Sequence, residues 1–268
     1  MSRITLLLAV LLFISCSQNN VRVDKGLEKF FVDNRVNGCF ALMDNGTGEF
    51  TVHNLSRFRD SSYQPASTFK IINSLIGLQT GKIVNDSMVI KWDGVQRWVP
   101  EWNRDLSMYD AFRYSSVYYY QEVARRIGLT DMQHYLDTLK YGTQKITTTI
   151  DSFWLDNSLK IRPDEQLGLV KMLYFDQLPF FKSYQETVKK AMLWENNSNY
   201  RLGYKTGWGR TEKGNHMGWI VGWVEENNHP YFFVLNIESQ DPNFDMVGVR
   251  KKMLKEILSY LGFFEGKM

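Results

Sequence analysis

Ser67 and Lys70 are the residues whose types and spacing first describe chemistry in this chain. They lie in Gln64-Pro65-Ala66-Ser67-Thr68-Phe69-Lys70, where Pro65 disfavours helix before it and Phe69, Ile72, Leu75 and Ile76 recur at helical spacing after it. That pattern predicts a helix over residues 67–80, ended by Thr80-Gly81-Lys82. Ser67 then falls in the first turn, whose backbone N–H groups lack intrahelical partners and favour developing negative charge. Lys70 shares its face, at about 5–6 Å between Cβ atoms. A hydroxyl beside an amine, near unpaired N–H donors, has the makings of an activated nucleophile with an oxyanion hole. A serine at this place can also be a plain helix cap, so the rest of the chain must separate the two.

Three later stretches bear on it. Tyr114-Ser115-Ser116-Val117 lies in a helical stretch, where a serine can sit at a turn and point into a cleft. Lys205-Thr206-Gly207, followed by Trp208, closes a strand, and Arg250 starts the last helix. Ser-x-x-Lys, Ser-x-Val and Lys-Thr-Gly in this order resemble the serine β-lactamase and penicillin-binding superfamily. Lys140-Tyr141-Gly142, Phe153-Trp154, Lys205-Thr206-Gly207-Trp208-Gly209 and the run from Gly218 to Glu225 narrow the resemblance to the class D, oxacillinase-type β-lactamases, over about residues 28–262.

The resemblance implies roles for these residues. Ser67 attacks the β-lactam carbonyl and becomes acylated. Lys70 acts as general base in the form of N6-carboxylysine, a carbamate made with carbon dioxide, so no other cofactor is expected. An ordinary lysine is charged at neutral pH, with a pKa of about 10.4, and burial among apolar groups lowers it and frees the nitrogen. Phe69, Val117 and Leu155 are candidates for that lining. Trp154 donates its indole N–H to the carbamate, and Val117 restricts water around it. Ser115 relays a proton to the leaving nitrogen. Lys205, Thr206, Gly207 and Trp208 bind and polarise the substrate, and Arg250 pairs with its carboxylate in the forked geometry arginine favours. The N–H groups of Ser67 and Trp208 form the oxyanion hole, and Trp102 flanks the cleft mouth. One residue departs from the pattern: Thr143 follows Tyr141-Gly142 where class D enzymes commonly carry Asn, which puts the local loop geometry in doubt.

Related domains of the superfamily stay acylated, either as antibiotic sensors joined to membrane helices and a protease domain or as peptidoglycan transpeptidases. The short export signal ahead of this domain and the Trp154 stretch favour the hydrolase.

The elements that must position these residues follow from periodicity. Gly38–Asp44 and Glu49–Asn54 read as strands joined by the hairpin signal Asp44-Asn45-Gly46-Thr47-Gly48. Residues 82–106 are irregular and carry Trp92, Trp98 and Trp102. Helical patterns follow near 107–127, 130–140, 164–176 and 183–194. Tyr200–Lys205, Gly218–Glu225 and Tyr231–Glu238 then read as a meander, and a last helix covers about 247–260. The order predicts an α+β fold, an antiparallel sheet flanked by helices with an inserted all-helical lobe and a cleft between lobes.

Over 268 residues, hydrophobic residues make up 44% and aromatic residues 15%, enough for a sizeable core. A net charge of +3 without a dense Lys/Arg run gives nucleic-acid binding no support. His53, His134, His216 and His229 lack zinc-ligand spacing, so no metal is expected. Arg3, the apolar run Ile4–Ile14 and Ser15-Cys16 describe an export signal over residues 1–15. Cys16 resembles a lipoprotein acylation site, although an ordinary signal cut a few residues later fits as well. A tether over 16–27 and a catalytic domain over 28–268 complete the expected organisation, exported to the periplasm and attached to membrane only through a lipid. Cys39 reads as a small core hydrophobe, and the oligomeric state stays open.

Overall fold

The computed structural model describes residues 20–268. The proposed signal and Cys16 lie outside the described residues. The strands are β1 (Val21–Val23), β2 (Asn37–Asp44), β3 (Phe50–His53), β4 (Val89–Ile90), β5 (Leu106–Ser107), β6 (Leu193–Asn196), β7 (Arg201–Arg210), β8 (His216–Glu226) and β9 (His229–Ser239). The helices are α1 (Glu28–Asp33), α2 (Leu55–Asp60), α3 (Lys70–Gln79), α4 (Met108–Arg113), α5 (Val117–Ile127), α6 (Leu129–Leu139), α7 (Pro163–Tyr174), α8 (Lys182–Met192) and α9 (Met246–Tyr260).

Seven strands form one sheet in the order β1-β3-β2-β9-β8-β7-β6, antiparallel except for the β1–β3 pair. Its central strands are apolar on both sides of the pleat because both sides are covered. Cys39 and Ala41 of β2 and Trp219 and Val221 of β8 face α3, α5 and α7, while Phe40, Leu42, Ile220 and Val224 face α1 and α9. Cys39 is a free, fully buried thiol, which burial pushes up to about 12. The tight β8–β9 turn places Asn227 and Asn228 at positive φ (51° and 61°), a conformation asparagine tolerates better than most residues. Among the described residues no helix is long and apolar enough to cross a membrane.

The α+β architecture is as expected, but four boundaries move. Residues 20–27 are not tether: Val21–Val23 pairs with Phe50–Val52, and Leu27 is wholly buried in the α1/α9 layer. The polar composition hid a short edge strand that covers the open side of β3.

The helix expected over 107–127 is broken into α4 and α5. Ser107 and Ser116 accept hydrogen bonds from the N–H groups of Asp110 and Tyr119, so each hydroxyl caps a new helix.

The strand expected to stop at Lys205 continues to Arg210, since β8 offers a partner at every step from Arg201↔Glu225 to Arg210↔His216. Gly207 and Gly209 interrupt the side-chain pattern without ending the ladder. The helix expected to 194 ends at Met192, where the chain enters edge strand β6.

Candidate active site

Ser67 sits in a single 3-10 turn, Ala66–Phe69, that runs directly into α3. Ala66 adopts φ 48°, unusual for a residue with a side chain, and is held there by its N–H donating to the Trp154 carbonyl at 3.0 Å. Non-glycine strain of this kind gathers at functional sites. The Thr68 hydroxyl donates to the Pro65 carbonyl at 2.7 Å and accepts from the wholly buried Gln166 at 2.6 Å, which pins the turn from below. Strand β7 pins it from the side. A Cβ on Gly207 would lie 3.0 Å from the Pro65 carbonyl, so any side chain there would press the strand and the turn apart by a few tenths of an ångström.

Lys70 is 0% exposed and donates to Ser67 Oγ at 2.8 Å. Burial alone pushes its amine down to about 7. Phe69, next in the chain, stacks on Trp154 at 5.3 Å between ring centroids, and Trp154 is buried beside it. The Trp154 indole N–H is buried without a hydrogen-bond partner among the described residues. A donor left this way inside a protein costs about 1–3 kcal/mol, so it points to a group that would accept from it.

Ser115 occupies the break between α4 and α5 at φ 59°. There it accepts a hydrogen bond from Lys205 Nζ at 3.0 Å, across from mid-β7. Lys205 lies well below its ordinary pKa, through burial first and then the positive charges of Lys70, Arg250, Lys251 and Arg113.

Arg250 is buried one turn into α9, rather than at its start, and donates to the Gly207 carbonyl. Its Nε has no partner among the described residues.

Ser67, Ser115 and Arg250 line one cleft of about 940 Å³ together with Val117, Leu155, Thr206 and Trp208, while Lys70, Trp154 and Lys205 are buried behind that lining. Trp102 is on its wall, donating its indole N–H to the Tyr114 carbonyl at 2.9 Å. Arginines and a lysine line the cleft and, among the described residues, no carboxylate does, so it attracts anions.

A family model described as "Penicillin binding protein transpeptidase domain" matches residues 38–259. The chain is 37% identical to Beta-lactamase OXA-48 of Klebsiella pneumoniae over 235 residues, 88% of this chain and 87% of that one. It is 38% identical to Beta-lactamase OXA-19 of Pseudomonas aeruginosa over 240 residues, 89% of each chain. The solved structure of the class D β-lactamase YbXI from Nostoc superposes with a TM-score of 0.84 at 38% identity, covering 89% of this chain and 99% of the other. This chain belongs to the class D serine β-lactamases.

Within this class D fold, Thr143 keeps the bridge its substitution put in doubt. Its hydroxyl accepts from the Lys160 N–H at 3.0 Å and its own N–H donates to the Lys160 carbonyl at 2.8 Å.

Sequence reasoning did not assign roles to Trp98 and His216. The exposed Trp98 ring meets Trp208 edge-on at 5.9 Å and Trp102 at 6.0 Å, so three tryptophans frame the mouth of the β-lactamase cleft. Trp208 donates its indole N–H to His216 Nδ1 at 3.1 Å. The tryptophan-rich composition of residues 82–106 was the available signal for Trp98; nothing local marked His216.

Proposed function

We propose that this β-lactamase hydrolyses β-lactam antibiotics through an acyl-enzyme on Ser67, with carbamylated Lys70 as the general base for acylation and deacylation. The observation that carries the reading is the pairing of a dry lysine, near neutrality at pH 7, with the partnerless N–H of Trp154. A neutral amine is what takes up carbon dioxide, and a buried donor is what would hold the resulting carboxylate. That group would supply a carboxylate base beside Ser67 Oγ.

The chain's own residues supply the rest. The Ser67 N–H, in the turn that opens α3, and the Trp208 N–H of β7 form the oxyanion hole. Ser115, held by Lys205, passes a proton to the departing ring nitrogen. Lys205, Thr206, Gly207 and Trp208 orient the substrate, Arg250 takes its carboxylate, and Trp102 and Leu155 pack on its side chain. Val117 and Leu155 keep bulk water from Lys70. Export through the signal-like residues 1–15, with a lipid on Cys16, belongs to the same proposal and is supported by the sequence pattern.

Mixing the protein with a chromogenic cephalosporin tests the reading. Many turnovers per molecule are expected. A single stoichiometric burst would instead mean a domain that stays acylated, as sensors and transpeptidases do.

Two further results follow from the geometry. Arg250→Ala should raise KM for a penicillin about 30-fold or more with a smaller change in kcat, since a buried charge pair with the substrate costs about 2–5 kcal/mol to break. Comparable losses in kcat would place Arg250 in the chemistry instead.

The second concerns pH. Lys70 is neutral above about 7 and an ammonium below it. The neutral fraction needed for carbamate formation therefore falls about tenfold per unit on the acid side. The kcat/KM profile should have an acid limb near pH 7 that sodium bicarbonate shifts downward; a flat profile to pH 5 would contradict it.

A further inference from the structure

Arg113, Arg250 and Lys251 all line the cleft, and Lys251 lies close enough to the other two to feel their charge. The Arg113 guanidinium lies over the Trp194 ring at 3.4 Å from its centroid, and Lys251 Nζ approaches the same ring at 5.6 Å. Arg113 Nη1 also donates to the Leu193 carbonyl at 2.7 Å, which fixes the guanidinium in place. None of the three forms an ion pair among the described residues. Their neighbours on α9 differ, since Lys252 pairs with Glu256 at 3.7 Å and Lys255 with Glu195 at 2.6 Å.

Like charges gathered without a counter-ion are unfavourable, and a bound anion relieves them. The strain is visible at Lys251, whose amine is pushed down by burial first and then by Arg250 and Arg113. The single ring carboxylate of a β-lactam, taken by Arg250, offsets one of the three charges. Two remain beside it.

We propose that Arg113 and Lys251, seated over Trp194 next to Arg250, form a second anion subsite that takes a carboxylate or sulfonate carried on the β-lactam beside its ring carboxylate. The inference rests on the β-lactam reading above and names the substrates that this part of the cleft favours. Arg113 is the fixed half of the site and Lys251, on an exposed stem, the adjustable half.

Two cephalosporins with the same acyl side chain test it, one with a neutral and one with an anionic substituent on the ring carbon next to the carboxylate. The readout is the ratio of kcat/KM, anionic over neutral, in the full chain. Lys251→Ala should lower that ratio about fivefold, Lys251→Glu further, and Lys251→Arg should restore it. Raising salt from about 0.05 to about 0.5 M should shrink the wild-type ratio, which a merely structural role for Lys251 would not do. A ratio that stays the same in both Lys251→Ala and Lys251→Glu while turnover persists would overturn the subsite alone. Wild-type protein that turns over neither cephalosporin would overturn the hydrolase reading and the subsite with it.

Discussion

Lys70→Ala is expected to lower kcat/KM for a penicillin by about 10²–10⁴-fold, the range a positioned general base contributes. The amine contacts Ser67 Oγ at 2.8 Å, and no other titratable side chain hydrogen-bonds that hydroxyl among the described residues. Acylation loses its base, and so does deacylation. Intact-protein mass spectrometry should therefore show a slowly formed penicilloyl adduct that does not clear. Lys70 has no ion pair among the described residues and is held dry in the fold, so its removal leaves no charge stranded. A melting temperature near that of the wild type would separate loss of base from loss of fold. Turnover at the wild-type rate would mean that some other group takes the Ser67 proton.

Trp154→Phe carries the second large effect. It keeps an aromatic ring against Phe69 while removing the indole N–H together with part of the larger ring. A hydrogen bond to a charged acceptor is worth about 1.5–3 kcal/mol, so kcat should fall by about 10- to 150-fold in air-equilibrated buffer. The loss should shrink as bicarbonate is added, because mass action refills a carbamate held less tightly. Deacylation should slow more than acylation. Trp154→Ala is the poorer variant, since emptying a buried tryptophan site costs about 3–5 kcal/mol in packing alone. Loss that bicarbonate cannot touch would make Trp154 a packing residue only.

Much of this was open to view in the chain, and the parts that were not share a cause. Ser67 and Lys70 lie three residues apart on one turn, so local geometry places them, and the period-2 runs of β8 and β9 give the sheet its two faces. The break at Ser115 was harder, because the apolar periodicity of 107–127 continues across it while two serine hydroxyls cap new helices. The length of β7 depends on β8, a partner that starts six residues beyond its end, and no pattern within β7 reports it. Lys251 reads like its neighbour Lys252 in sequence, yet only Lys252 finds a carboxylate on its own helix. His216 reaches the cleft through Trp208, across a hairpin. Residues defined by partners far along the chain are the ones that periodicity cannot find. The strained backbones at Ala66 and Ser115 belong to the same group, since each is held by contacts outside its own element or by competing caps.

The carbamate on Lys70 can be observed without any substrate. The protein equilibrated with 13C-labelled bicarbonate, compared with the Lys70→Ala protein by 13C NMR, is the direct measurement. A protein-bound carbamate carbonyl signal is predicted in the wild type, absent from Lys70→Ala and fading as pH is taken below about 7. An enzyme that turns over β-lactams yet shows no such signal at neutral pH would rule out the carbamate, and the proton of Ser67 would have to go to the free Lys70 amine.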